Sequence, residues 1–222
     1  MDEPTWLTTT DPVAMLVHLR TNGPQPSDRR LRLFLCAGCR FLSQHFEHET
    51  LWRVVSVAEE YAEGRVDKAQ LDAVMRDSAD VLMAFDGLDN PVRQLAGVLA
   101  LVAGMPPEED RDVLSALDEF GEGILARSTE EQRAAGAVLL REIFGNPFRP
   151  VAVDPSWLRW KEGAVAHMAR SIYDRRRLDE LPVLADALED AGCANAELLA
   201  HLRSPGPHVL GCWALDALLG KG

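Results

Sequence analysis

Basic residues are in short supply in this sequence. Lys and Arg number 23 against 35 Asp and Glu, so the formal net charge is -12 at pH 7. Proteins that bind nucleic acid take much of their affinity from basic side chains that neutralise phosphates, and an acidic surface repels polyanions. The composition therefore argues against nucleic acid and anionic membranes as partners. A protein partner, if there is one, is expected to be basic, because opposite charges speed association.

Long apolar runs are also missing. The most apolar stretch, residues 95–105, contains two glycines and falls well short of the roughly 20 residues that span a bilayer. The chain begins with Met-Asp-Glu-Pro, which carries acidic residues where a targeting segment would carry basic ones. A cytoplasmic location is therefore expected, and in that reducing compartment the four cysteines are expected to be thiols.

Strand patterns are absent as well, since no alternating β-branched run occurs. Apolar residues instead recur every three or four positions between helix caps and breakers, a pattern typical of amphipathic helices. This predicts an all-α fold of about nine or ten helices, arranged as an irregular bundle or as stacked helix pairs. Ser128 and Glu131 are expected to form a capping box at the start of one helix. Other predicted helices cover 27–46, 91–104, 108–127, 156–174 and 209–219.

A proline-rich interruption divides the predicted helices. Residues 146–155 contain three prolines, the longest break in the second half of the chain. The break is expected to separate an N-terminal helical part, 1–145, from a C-terminal helical module, 146–222. Because 222 residues lie at the upper end of single-domain length, the two parts are expected to pack together as one globular unit.

Thiol and imidazole side chains supply the sharpest site hypothesis. Zinc favours four such ligands in a tetrahedron, and a C-x-x-C pair is the usual first half of a structural site. The sequence has one C-x-x-C pair early and two cysteines late, with histidines beside the late pair. A zinc ion on these residues would join the N- and C-terminal parts. The candidate ligands are Cys36, Cys39, Cys193, Cys212, His201 and His208.

Core packing is the alternative for the cysteines. Zinc-binding C-x-x-C pairs normally lie on a tight turn, whereas Cys36 and Cys39 are predicted in the middle of a helix. Cysteine also packs well as a small buried hydrophobe. A redox role for this pair is disfavoured, because redox C-x-x-C motifs open a helix after a strand. Zinc binding and core packing both remain open.

Catalytic signatures are missing from the sequence. No G-x-S-x-G, P-loop or Rossmann glycine pattern occurs. His48 and Glu49 begin like the zincin motif H-E-x-x-H, but Trp52 stands where the second histidine is required. An enzyme whose site is built from scattered acids and histidines stays an alternative, although catalysis is not favoured.

The leading hypothesis is a non-enzymatic, helical protein-interaction module. Trp157 and Trp160 lie three residues apart beside Arg159, a combination that could form an exposed aromatic patch. His208 belongs to a turn that is a second candidate contact. The alternative is that the two tryptophans fix their helix to the core.

Three phrases carry a family resemblance: FGNPFRP at 144–150, LPVLADALEDAGC at 181–193 and PGPHVLGCW at 205–213. With them, the chain resembles a family of uncharacterised all-helical proteins that are numerous in planctomycete bacteria. The likeness extends to the N-terminal segments 6–19 and 28–34. The family has no assigned activity, so the resemblance carries over no catalytic residue and no cofactor.

Overall fold

Helices account for every regular element that the structure describes. The computed structural model describes residues 1–22, 27–42, 49–84 and 128–222, and within these ranges no strand occurs. The predicted all-α fold is confirmed, and the helices predicted over 91–104 and 108–127 lie outside the described ranges. None of the described helices is long and apolar enough to cross a membrane. The described helices are α1 Glu3–Thr8, α2 Pro12–Asn22, α3 Asp28–Leu42, α4 Glu49–Ala62, α5 Lys68–Ala84, α6 Glu130–Phe144, α7 Pro155–Asp174, α8 Leu181–Asp190, α9 Ala196–Leu202 and α10 Trp213–Leu219.

The start of α6 is fixed by a capping box one residue later than predicted. The backbone N–H of Thr129 donates to Gln132 Oε1 at 2.9 Å, and the N–H of Gln132 donates to Thr129 Oγ1 at 3.3 Å. The box is thus formed by Thr129 and Gln132 rather than by Ser128 and Glu131. A glutamine amide oxygen satisfies the cap N–H as a glutamate would, and the sequence offers both pairs.

Two compact units make up the chain, Met1–Arg141 and Glu142–Gly222. In the first unit α4 packs against both α3 and α5. In the second unit α7 and α9 each contact both α8 and α10. These four helices enclose a core of fully buried side chains that includes Tyr173, Leu184, Leu198, Leu202 and Leu215.

Helix α7 contains a sharp break, so the continuous helix predicted over 156–174 is wrong at 160–163. Trp160 is extended, with a ψ of 134°, and the φ values of Lys161, Glu162 and Gly163 are +43°, +59° and +87°. The left-handed conformation costs about 1–2 kcal/mol for each residue with a side chain. Apolar spacing cannot reveal this break, because Lys161 and Glu162 are ordinary helix formers.

The last helix begins later than the predicted range 209–219. Helix α10 starts at Trp213 and Cys212 is its N-cap residue. The preceding glycines, Gly206 and Gly211, have φ values of +89° and +86°, which no helix accommodates. His208 and Cys212 are therefore presented by an irregular segment rather than by a helix face.

Candidate metal centre

Four side chains of the second unit meet in one buried cluster: Glu142, His201, His208 and Cys212. Each offers one possible ligand atom, and these four atoms all lie within 4.8 Å of one another. The Glu142 side chain is 4% exposed, and those of His201 and His208 are 18% and 8% exposed. Cys212 is completely buried. The donor set of one carboxylate, two imidazoles and one thiol could hold a metal ion.

Local structure brings each of these side chains inward. Glu142 lies in the last turn of α6 beside Ile143, which is fully buried. His201 lies in the last turn of α9, next to the fully buried Leu202. Asn195 caps that helix by accepting the N–H of Leu198 at 2.9 Å. The buried side chains of Ile143 and Leu202 fix the ends of the two helices in the core. Glu142 and His201, which are adjacent to them in sequence, are thereby held in the interior as well.

The contacts within the cluster have the spacing of a metal site. His201 Nε2 lies 3.3 Å from Cys212 Sγ and 3.3 Å from Glu142 Oε2. His208 Nδ1 lies 3.3 Å from the same carboxylate oxygen, Glu142 Oε2. Bond lengths of about 2.0–2.3 Å place the ligand atoms of a tetrahedral zinc ion roughly 3.3–3.8 Å apart. These three contacts come close to that range, and no two of the four ligand atoms are more than 4.8 Å apart.

Outer contacts orient two of these groups, His208 and Glu142. His208 Nε2 lies 3.1 Å from the carbonyl oxygen of Ser204, which assigns the ring proton to Nε2 and leaves Nδ1 free to bind a metal. The backbone N–H of Val209 donates to Glu142 Oε1 at 3.3 Å. Imidazole ligands in metalloproteins regularly donate their second N–H to a carbonyl or carboxylate in this way.

Burial and the Glu142 charge set the protonation of the metal-free cluster. Burial, with the nearby carboxylate of Glu142, raises the pKa of the Cys212 thiol well above its usual value. Burial lowers the pKa of His201, although Glu142 partly opposes this shift. Burial also acts to lower the pKa of His208, but the hydrogen bond and charge of Glu142 outweigh it, so that this pKa is raised. Without a metal, the raised pKa of His208 favours its protonated form beside Glu142, and Cys212 is a neutral thiol. A metal would therefore displace protons on binding.

The structure brings together three of the six predicted ligands, namely His201, His208 and Cys212. Cys193 follows α8 and is buried, but it does not belong to the cluster. Burial raises the pKa of its thiol. This thiol packs as a small apolar side chain of the second unit.

Cys36 and Cys39 lie in the middle of α3, as predicted. Both are buried in the first unit. Burial raises the pKa of Cys36 well above its usual value and raises that of Cys39 to about 12. Neutral, buried thiols fit the core-packing alternative, and the zinc site joining the two parts of the chain through this pair stays a prediction.

Glu142 was not among the predicted ligands. It is one of 35 acidic residues, and no motif distinguishes it from the others. One signal was present, because Glu142 comes three residues after the buried Leu139 and directly before the buried Ile143. Its position is therefore one at which the helical spacing predicts an apolar residue. A carboxylate there needs a partner.

The residues predicted to contact a protein partner differ in their exposure. Trp157 and Trp160 are half-buried and Arg159 is exposed, and Lys161 Nζ lies 4.0 Å from the centre of the Trp160 ring. The ring of His208 is turned into the buried cluster, where Glu142 holds it. The His208 side chain is 8% exposed, and binding of a partner at His208 or at the two tryptophans stays a prediction.

The helices and the cluster define an all-α protein whose second unit carries a four-residue group able to hold a metal ion. In comparisons with known proteins, no protein-family model, no curated protein and no solved structure matches the chain. The resemblance to the planctomycete family stays a prediction. His48, the start of the incomplete zincin motif, lies outside the described residues.

Proposed function

We propose that the second unit is a structural zinc module that binds one ion through Glu142, His201, His208 and Cys212. The observation that carries the proposal is that four donor atoms lie within 4.8 Å of one another in a buried place. Zinc binds nitrogen, oxygen and sulfur donors in one tetrahedral site, whereas magnesium and calcium prefer oxygen donors alone. The mixed donor set therefore favours zinc.

A structural role fits the number of ligands better than a catalytic one. Catalytic zinc sites use three protein ligands and keep the fourth position for water or substrate. Here all four positions have a protein donor, and Cys212 is completely buried. The ion would link the end of α6 to the segment before α10 and so stabilise the fold of the second unit.

A metal-free hydrogen-bonded network is the competing account of the same contacts. In that account Glu142 pairs with a protonated His208, and Cys212 stays a thiol. The two accounts differ in metal content and in the effect of a chelator on stability, because an ion that binds only the folded chain raises its melting temperature.

The experiment is elemental analysis of the full chain, purified without a histidine tag, combined with thermal unfolding before and after chelation. We expect one zinc per chain and a lower melting temperature after chelation. Cys212→Ser should lose the zinc, whereas Cys193→Ser changes a buried thiol of the same unit outside the cluster and should retain it. Loss of zinc from a Cys36→Ser, Cys39→Ser double variant would instead support a site joining both parts of the chain. A wild type with little zinc and no response to chelator would exclude the proposal.

A further inference from the structure

The two imidazoles of the cluster are held in different ways. His208 is oriented by a hydrogen bond on each side of its ring, to Glu142 through Nδ1 and to Ser204 through Nε2. Within the described residues, the ring of His201 makes its polar contacts through Nε2 alone, to Glu142 and Cys212. No second hydrogen bond fixes the plane of the His201 ring, so its packing has to do so.

Trp213 supplies that packing. The ring centres of His201 and Trp213 are 4.8 Å apart with an interplanar angle of 48°. The ring of His208 approaches His201 edge-on, at 5.2 Å and 76°. The His201 imidazole therefore lies against two rings, and Trp213 is the larger of them.

Gly145 in turn provides the surface against which Trp213 rests. A Cβ atom at position 145 would lie 3.0 Å from Trp213 Cγ and 3.1 Å from Cδ2, closer than side chains normally approach. The φ of Gly145 is +65°, which also disfavours any residue with a side chain. The indole of Trp213 thus lies directly on the backbone of Gly145. Gly145 comes three residues after the ligand Glu142, and Trp213 directly follows the ligand Cys212.

We infer that Trp213, seated on Gly145, is a positioning residue of the metal centre that holds the His201 ring in the orientation in which Nε2 reaches the ion. The inference rests on the proposed zinc site and adds a residue that binds no metal itself. Groups that orient metal ligands typically change metal affinity by about 10–100-fold when they are altered. Here aromatic packing has the role that a hydrogen bond has for His208.

The test uses Co²⁺, added as its chloride to the metal-free full chain, because the visible absorption of cobalt reports ligand geometry. Trp213→Leu removes the flat ring, and Trp213→Phe keeps one. For Trp213→Leu we expect a changed Co²⁺ spectrum and a loss of roughly 10–100-fold in Zn²⁺ affinity. Trp213→Phe should retain the wild-type spectrum and most of the affinity. Leu218→Ala on the same helix is the control, since it removes buried apolar volume and should lower the melting temperature without changing the spectrum.

Each outcome decides between the possibilities. A wild-type spectrum and affinity in Trp213→Leu would overturn the positioning role while leaving the zinc site intact. An altered spectrum in Leu218→Ala as well would show that any loss of packing disturbs the site, which also overturns it. A wild type that takes up neither Co²⁺ nor Zn²⁺ would refute the proposed function and the inference together.

Discussion

The Nδ1 atom of His208 lies 3.2 Å from Oε1 of Glu142, although 66 positions separate the two residues in the chain. Glu142 is the first residue of the second unit, so the contact joins the beginning of that unit to a segment near its end. A bond that closes a long loop restricts the unfolded chain more than one that closes a short loop. A metal ion here would therefore stabilise the second unit in two ways. It would bond to its ligands, and it would reduce the conformational entropy of the unfolded chain between Glu142 and His208.

Replacement of Glu142, which contacts both histidines of the cluster, tests its role as a metal ligand. Glu142→Gln keeps the shape but removes the charge, and we expect Zn²⁺ affinity to fall by more than about 100-fold, since loss of an outer contact alone costs roughly 10–100-fold. Competition with a chromophoric chelator measures the affinity. Glu189→Gln is the matched control, because this exposed carboxylate pairs with Arg203 outside the cluster. Equal affinities for the two variants would contradict the assignment of Glu142 as a ligand.

A pair of glycine substitutions separates backbone strain from steric collision next to the cluster. Gly206 and Gly192 have similar φ values of +89° and +90°, but a Cβ at 206 would lie 2.7 Å from the backbone nitrogen of His208, whereas one at 192 meets nothing within 4 Å. Gly192→Ala should cost about 1–2 kcal/mol in the free energy of unfolding. Gly206→Ala should cost more, by about a further 1–3 kcal/mol, and should also weaken metal binding through His208. Urea unfolding measures both, and an equal loss in the two variants would count against the collision.

The break in α7 makes a prediction opposite in sign to the usual rule for helices. Glycine in a helix interior normally costs about 1 kcal/mol. Lys161 and Glu162 have left-handed φ values, where glycine relieves about 1–2 kcal/mol of strain per residue. We therefore expect Lys161→Gly and Glu162→Gly to leave the free energy of unfolding unchanged or higher. Arg170→Gly, at an exposed position later in α7, should show the ordinary loss. Similar losses in all three variants would show that the helix runs through 160–163 without a break.

The first unit should lose stability in mild acid because of His18. His18 is buried, its ring centre lies 6.1 Å from that of Trp6, and burial lowers its pKa from 6.5. As the pH falls, the unfolded chain therefore binds the His18 proton before the folded chain does. The stability that neutral His18 contributes is fully present above pH 6.5 and is lost as the pH falls through the lower pKa of the folded state. Urea unfolding from about pH 8 to pH 5 should show this loss in the wild type. His18→Phe should reduce the slope of the unfolding free energy against pH. Identical slopes in the wild type and His18→Phe would rule out the effect.

Most helices could be predicted because they depend on local signals. The mid-helix position of Cys36 and Cys39 follows from apolar spacing alone. The break at Lys161 and Glu162 could not be predicted, since it contradicts the helix propensity of both residues. Conformations that agree with local propensity can be predicted from a sequence, and strained conformations cannot.

The candidate site could be predicted only in part, for a related reason. His201, His208 and Cys212 lie close together in sequence and were grouped as possible ligands. Glu142 lies far from them, and nothing about a single carboxylate reveals which distant side chains it will meet. Cys193 was grouped with them because it is near in sequence. It lies before α9, however, and does not reach the cluster that His201 on α9 and Cys212 after it help to form.

The four cysteines have a practical consequence that follows from their burial. Two of them, Cys36 and Cys39, belong to the first unit and two, Cys193 and Cys212, to the second, and all four are at most 3% exposed. An alkylating reagent can therefore modify each pair only when its own unit opens. Timed labelling followed by peptide mass mapping would record how often each unit opens in the native protein. Added zinc should slow the labelling of Cys193 and Cys212 only.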